Sequence, residues 1–153
     1  MEGLCLSAAR AVHHGRGVLA KCCATVPSMQ GLHLTADLHH CQCDAVWLTD
    51  SDQLLAVCVE HVRAVGLQAV AHLAHGFPPG SHGPGGVTAT VLLAESHLCV
   101  HTWPEVRSVT LDVYVCNYSA DHSSKASALL AALSALFQPT TVQQNSLQRG
   151  TVG

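Results

Sequence analysis

Between Leu93 and Glu105 the chain reads Leu-Ala-Glu95-Ser96-His97-Leu-Cys99-Val-His101-Thr-Trp103-Pro-Glu105. A hydroxyl follows directly on a carboxylate-bearing residue, where a bland turn between apolar strands would use Asn-Gly or Asp-Gly. His97, Cys99, His101 and Trp103 then recur at every second position, which puts them on one face of a strand. A nucleophilic hydroxyl, imidazoles able to take a proton, a thiol and two carboxylates are thus gathered where two apolar strands meet. The other concentration of reactive groups is His39-His40-Cys41-x-Cys43, four candidate metal ligands in five residues. Structural zinc sites favour Cys-x2–4-Cys pairs from two separate knuckles, so a thiol-rich loop without metal is the reading preferred here.

The flanking sequence predicts the elements that hold these groups. From Gly31, apolar Leu32, Leu34 and Ala36 alternate with His33, Thr35 and Asp37, a half-buried strand. Thr49-Asp50-Ser51 offers N-cap chemistry, Leu54, Leu55, Cys58, Val62 and Val65 recur at helical spacing, and Gly66 ends that helix. A second strand is expected over about 67–75. Prolines and glycines make 77–86 a loop. Three strands follow at Val87–Ala94, His97–Trp103 and Val109–Cys116, the last with a clean alternation. Asp121-His-Ser-Ser caps a second helix bearing Leu129, Leu130, Leu133, Leu136 and Phe137 on one stripe. Pro139 stops it, and Thr140–Leu147 reads as a final edge strand. The expected class is α+β, a two-layer sandwich with two helices on one face of a mainly antiparallel sheet.

Of 153 residues, 48% are hydrophobic and only 11% charged, against about 25% charged in typical domains. That composition predicts one folded domain over 29–153, not disorder. A net charge of −3 and the lack of a basic stripe argue against nucleic acid, and the apolar runs fall short of the roughly 20 residues that span a bilayer. So little charge predicts a homo-oligomer that covers apolar surface. The eight cysteines fit no disulfide framework, which suggests reduced thiols and a cytoplasmic protein. The twelve histidines make net charge fall steeply as pH rises through about 6.5. Residues 1–28, with Arg10, Arg16 and Lys21 against Glu2, read as a poorly ordered extension. It is either a basic presequence or a consequence of a true start at Met29; the apolar segment of a secretory signal is missing.

The sequence resembles the prokaryotic S-adenosylmethionine decarboxylases, proenzymes that make their own pyruvoyl group. The likeness rests on Gly86-Val-Thr88 leading into Leu-Leu-Ala-Glu95-Ser96-His97, on His101-Thr-Trp-Pro-Glu105 and on Leu111-Asp-Val-Tyr-Val-Cys116. Gly31-Leu-His33-Leu-Thr-Ala-Asp37 and Arg149-Gly150 add to it, so that it runs over about 29–150. It implies that Ser96 Oγ attacks the Glu95 carbonyl, that Thr88 helps to stabilise the oxyanion, and that His101 is the base at Ser96 Cα. Cleavage between 95 and 96 would leave a pyruvoyl group on the second fragment, which forms a Schiff base with substrate and needs neither pyridoxal phosphate nor metal. It further implies Cys116 as proton donor, Glu105 as the carboxylate on the ribose hydroxyls and Phe77 as the aromatic on adenine. The expected reaction releases CO2 and decarboxylated S-adenosylmethionine for spermidine synthesis, in a homodimer of cleaved protomers paired sheet to sheet. L-Ornithine or L-arginine as substrate, and a non-catalytic metal-binding or regulatory relative, are the alternatives.

Simpler roles stand beside these. Cys116 alone would be a small buried hydrophobe, and His97 would hydrogen-bond across the turn. Cys99 departs from the family's small residues as a packing variant. Ala89 replaces a common glycine and would tighten the pocket, and Trp103 belongs to core or interface.

Overall fold

The computed structural model describes residues 30–81 and 83–150; the expectations for residues 1–28 and for a start at Met29 lie outside the described residues. Six strands form one antiparallel sheet: β1 (Gly31–His39), β2 (Ala69–Gly76), β3 (Val87–Leu93), β4 (Ser96–Trp103), β5 (Ser108–Cys116) and β6 (Thr141–Arg149), in the order β2-β3-β4-β5-β1-β6. The helices are α1 (Val46–Thr49), α2 (Ser51–Ala64) and α3 (Ser123–Phe137). Strand β1 connects through α1 and α2 to the far edge, and β5 connects through α3 to β6. Helix α2 packs on β2 and β3 while α3 packs on β1 and β5, which gives the expected two layers.

Period two sorts the strand residues. Leu34 and Leu38, Val87 and Val91, Leu98 and Val100, and Val109 to Val115 at alternate positions point at the helices and are buried. Leu54, Cys58 and Val62 of α2, with Leu129, Leu133 and Phe137 of α3, close the other side of that core at 0% exposure. Each such leucine contributes about 2 kcal/mol. The opposite sheet face carries His33, Thr88, Thr90, His97, Cys99, His101, Asp112, Tyr114 and Cys116 at intermediate exposure, with none of the described helices over it.

Local chemistry explains the boundaries. Asp50 caps α2 as expected, its carboxylate accepting from Asp52 and Gln53 N–H at 3.0 Å. At the other end Gly66 takes φ +75, Gly66 N–H donates to Arg63 O and Leu67 N–H to Val62 O, a Schellman closure. Leu67 is therefore spent on the helix end, and β2 starts at Ala69 instead of 67. Helix α3 corrects the expected cap. Its N-cap is His122, without a side-chain cap bond, because Asp121 sits one residue early and accepts from Ser123 N–H at 2.9 Å. Asn117 Oδ1 satisfies His122 N–H instead. Helix α1 and the 3-10 turn Pro104–Val106 carry too few residues to show a period in sequence. The last strand is β6, which lies at an edge of the sheet and is exposed throughout.

Candidate functional site

The hairpin β3–β4 closes in two residues, with Leu93 opposite Ser96. Ser96 lies at φ +127, a region that glycine tolerates and a serine occupies at a cost of about 1–3 kcal/mol. The bond on its N-terminal side is held from β5: Cys116 N–H donates to Glu95 O at 2.9 Å. A hydroxyl-bearing residue in a strained conformation thus follows a carbonyl already polarised by an N–H donor. Cys116 closes β5 beside this turn, with a half-buried free thiol.

The Glu95 side chain reaches in the same direction. Its carboxylate accepts from Tyr118 N–H at 3.0 Å, from Ser119 N–H at 3.2 Å and from the Ser119 hydroxyl, while His122 Nε2 stands 3.7 Å away. The Ser119 hydroxyl first, then the two N–H groups and His122, hold this carboxyl below the usual range.

A second constellation lies at the other end of the hairpin. Thr88 pairs with His101 across the strands, and Thr88 Oγ1 lies 2.9 Å from His101 Nδ1. With Nδ1–H donating to that hydroxyl oxygen, Nε2 is left with the free lone pair that a base requires, and the Thr88 O–H remains available to donate. Both residues line a cavity of about 530 Å³ whose wall also includes Phe77, Gly86, Trp103 and Glu105. Buried Thr102 fixes this end: its hydroxyl accepts from Val87 N–H and donates to Leu48 O, each at 2.7 Å. Gly86 packs so tightly that a Cβ there would lie 2.0 Å from Thr102 O, and Phe77 N–H donates to Gly86 O at 2.9 Å.

The structure therefore brings Glu95, Ser96 and Cys116 together at the turn, and Thr88, His101, Glu105 and Phe77 together around the cavity. It does not join the two groups within one chain, because Ser96 and His101 are five residues apart on one strand, about 16 Å at the usual rise. Between them Thr90 Oγ1 meets Cys99 Sγ at 3.5 Å. His97 does not bond across the turn. Its Nε2 faces Asp112 Oδ1 on β5 at 3.4 Å, and the same oxygen accepts from His33 Nε2 at 2.9 Å. Ala89 is buried towards the helices and does not border the cavity. Trp103 is 40% exposed and belongs to the open face, not the core. Cys41 and Cys43 are buried in the core, and burial pushes the Cys41 thiol up to about 11. Among the described residues no three His, Cys, Asp or Glu side chains converge as a metal site would need.

Sequence reasoning missed Thr102, Ser119 and His122. Thr102 was traceable, since its parity in β4 places it with Leu98 and Val100. Ser119 and His122 meet Glu95 only through the fold.

The profile of the family described as S-adenosylmethionine decarboxylase matches residues 32–150. An S-adenosylmethionine decarboxylase proenzyme of Hydrogenobaculum sp. is 32% identical over 123 residues, covering 80% of this chain and 83% of that protein. The proenzyme of the same name from Persephonella marina is 33% identical over 123 residues, covering 80% and 84%. The crystal structure of the adenosylmethionine decarboxylase from Aquifex aeolicus superposes with a TM-score of 0.68 at 31% identity, covering 82% of this chain and 95% of that one. The chain belongs to the S-adenosylmethionine decarboxylase family.

Proposed function

We propose that the chain is a proenzyme that cuts itself between Glu95 and Ser96 and then decarboxylates S-adenosylmethionine, the product serving spermidine synthesis. The observation that carries this reading is the state of the Glu95–Ser96 bond, with positive φ on one side and its carbonyl held by Cys116 N–H on the other. In the first step Ser96 Oγ attacks the Glu95 carbonyl carbon, and the amide becomes an ester as the proton passes to the amine nitrogen. Cys116 N–H stabilises the oxygen on which charge develops, and the held geometry replaces an encounter between separate molecules. A base then removes the proton from Ser96 Cα and the ester C–O bond breaks. This leaves a Glu95 carboxylate and a dehydroalanine, which water converts to pyruvoyl and ammonia.

His101 is the base whose Nδ1 is paired with Thr88, and it stands too far away along its own strand. A second copy, laid with its sheet against this one, supplies His101 and Thr88 to the Ser96 and Cys116 of the first. The working unit is accordingly a homodimer with sites shared between protomers. The uncovered face supports this, since Leu73 at 74% exposure, Leu92 at 47% and Trp103 otherwise stand in water.

The chain fits a pyruvoyl group at residue 96, with the turn holding its precursor and Cys116 beside it. Such a group supplies a carbonyl electrophile that takes up the electrons released as CO2 leaves. Cys116 holds the proton that replaces CO2 on the substrate α-carbon. Glu105 accepts from the ribose hydroxyls and Phe77 stacks on adenine, in a cavity of a size suited to a nucleoside. The aromatic ring of Phe77 in that wall favours a nucleoside over ornithine or arginine. None of these steps uses a metal or pyridoxal phosphate. No helix among the described residues is long and apolar enough to cross a membrane, and we place the enzyme in the cytoplasm on its reduced thiols.

Intact-mass analysis tests the proposal. Active protein should consist of two fragments divided after Glu95, the second with a blocked amino end, and Ser96→Ala should stay whole and inactive. An uncut wild-type chain that decarboxylates would falsify it.

A further inference from the structure

We infer that the Glu95 carboxylate and the segment from Asn117 to His122 form a clamp that sets the rate of self-cleavage and takes no part in decarboxylation. The inference rests on the self-cleavage reading above and concerns what holds the bond before it breaks.

The polar contacts of Glu95 outside the hairpin come from the last residue of β5 and from the connection between β5 and α3. Its main-chain oxygen takes the Cys116 N–H. Its carboxylate takes the Tyr118 and Ser119 N–H groups and the Ser119 hydroxyl. His122 faces it at 3.7 Å, with a ring Nδ1 that is buried and has no hydrogen-bond partner. A buried imidazole left half unsatisfied is unfavourable for stability alone, and the position it keeps is the one that places Nε2 against Glu95. The connection is itself fixed. Asn117 N–H donates to Gln30 O at 2.8 Å, Asn117 Oδ1 accepts from His122 N–H, and Asn117 Nδ2 donates to Ser123 Oγ.

The clamp grips the acyl side of the bond, while the strain lies at Ser96. Without it the two-residue turn can rotate, letting residue 96 relax towards negative φ and carrying the carbonyl away from Cys116 N–H. Both effects take the Glu95–Ser96 bond out of its held geometry, and a displacement of about 1 Å between reacting groups costs up to about 100-fold in rate. Once the bond is cut, the clamp holds only the end of the first fragment. Ser119 and His122 are thus positioning residues for processing, and substrate turnover should not register their loss.

The experiment follows freshly synthesised proenzyme in a cell-free system, reading fragments by intact mass over time. Decarboxylation is then measured per mole of cleaved chain. Ser119→Ala should lengthen the processing half-time about 10-fold, within the range that mispositioning imposes, with turnover per cleaved chain unchanged. Ser119→Thr restores the hydroxyl and should restore the half-time. His122→Gln, which removes the imidazole that stands 3.7 Å from Glu95, provides a second arm if Ser119→Ala fails to fold; a half-time lengthened about twofold to fivefold is expected. A wild-type half-time in Ser119→Ala, or in His122→Gln where Ser119→Ala does not fold, would overturn the clamp, as would turnover per cleaved chain that falls in step with the processing rate. A wild-type chain that never cleaves would instead overturn the underlying reading.

Discussion

Whether each site is shared between two chains can be settled by pairing two dead variants. Ser96→Ala cannot make the ester, and His101→Ala lacks the base. On one chain these residues sit about 16 Å apart, from five residues at 3.2–3.4 Å each, far beyond the roughly 3 Å over which a base takes a proton. If Ser96 of one chain meets His101 of the other, a heterodimer holds one site with both lesions and one with neither. Random pairing makes half the dimers mixed, so co-expressed variants should regain about a quarter of wild-type sites under two-fold symmetry. The assay is differential tagging, purification through both tags, and quantitation of cleaved His101→Ala chain by mass. Only that chain should be cut, because it alone keeps Ser96. Loss of a general base costs about 100-fold to 10,000-fold, so the singly expressed variants provide a clean background. A doubly tagged heterodimer with no more cleavage than the separate variants would refute the shared site.

Two further outcomes are expected. Thr102→Val should leave Val87 N–H and Leu48 O unpartnered in the core and lower stability by about 1–3 kcal/mol per orphaned group, read from the urea midpoint; an unchanged midpoint would show that water replaces the hydroxyl. Burial raises Cys58 to about 12 and Cys41 to about 11, above an unfolded thiol near 9, so the stability tied to these protons is complete below pH 9 and is lost as pH rises towards 11. Each thiol adds a slope of up to about 1.4 kcal/mol per pH unit, and a urea midpoint that is flat from pH 9 to 10.5, or as steep in Cys58→Ala, would contradict it.

Much of the fold was legible because the strands alternate and the helices carry their own punctuation. Asp50 and Gly66 each act within a few residues, and both ends of α2 followed. The pairing of Thr88 with His101 also lies in the sequence, since a two-residue turn with Leu93 opposite Ser96 fixes the register outward along the hairpin. What stayed hidden depends on groups distant in sequence. Leu67 looks like strand until its N–H is claimed by the helix end. Asp121 looks like a cap until Asn117 takes the duty from five residues upstream. Ser119 and His122 follow Glu95 by more than twenty residues, and only the crossing of β5 past the hairpin brings them to it. The separation of Ser96 from His101 follows from period and rise, yet the motif reads as one site until the strand is drawn out straight.

That separation also constrains the homodimer proposed above. One hairpin carries Ser96 at its turn and His101 at its open end, so a second hairpin must run the opposite way for the two to meet. A two-fold axis does this for both copies at once, and a head-to-tail arrangement would leave a half-site open at each end and continue into a filament. The uncovered face is suited to such burial although it is polar. Asp112 already accepts from His33, Thr88 is matched with His101, and Thr90 lies against Cys99. Groups partnered across strands within each chain lose little when water leaves, and the exposed Leu73, Leu92 and Trp103 gain by it. In the proposed homodimer, the residues assigned to the half-sites therefore also make the face capable of being covered, which links association to the shared site.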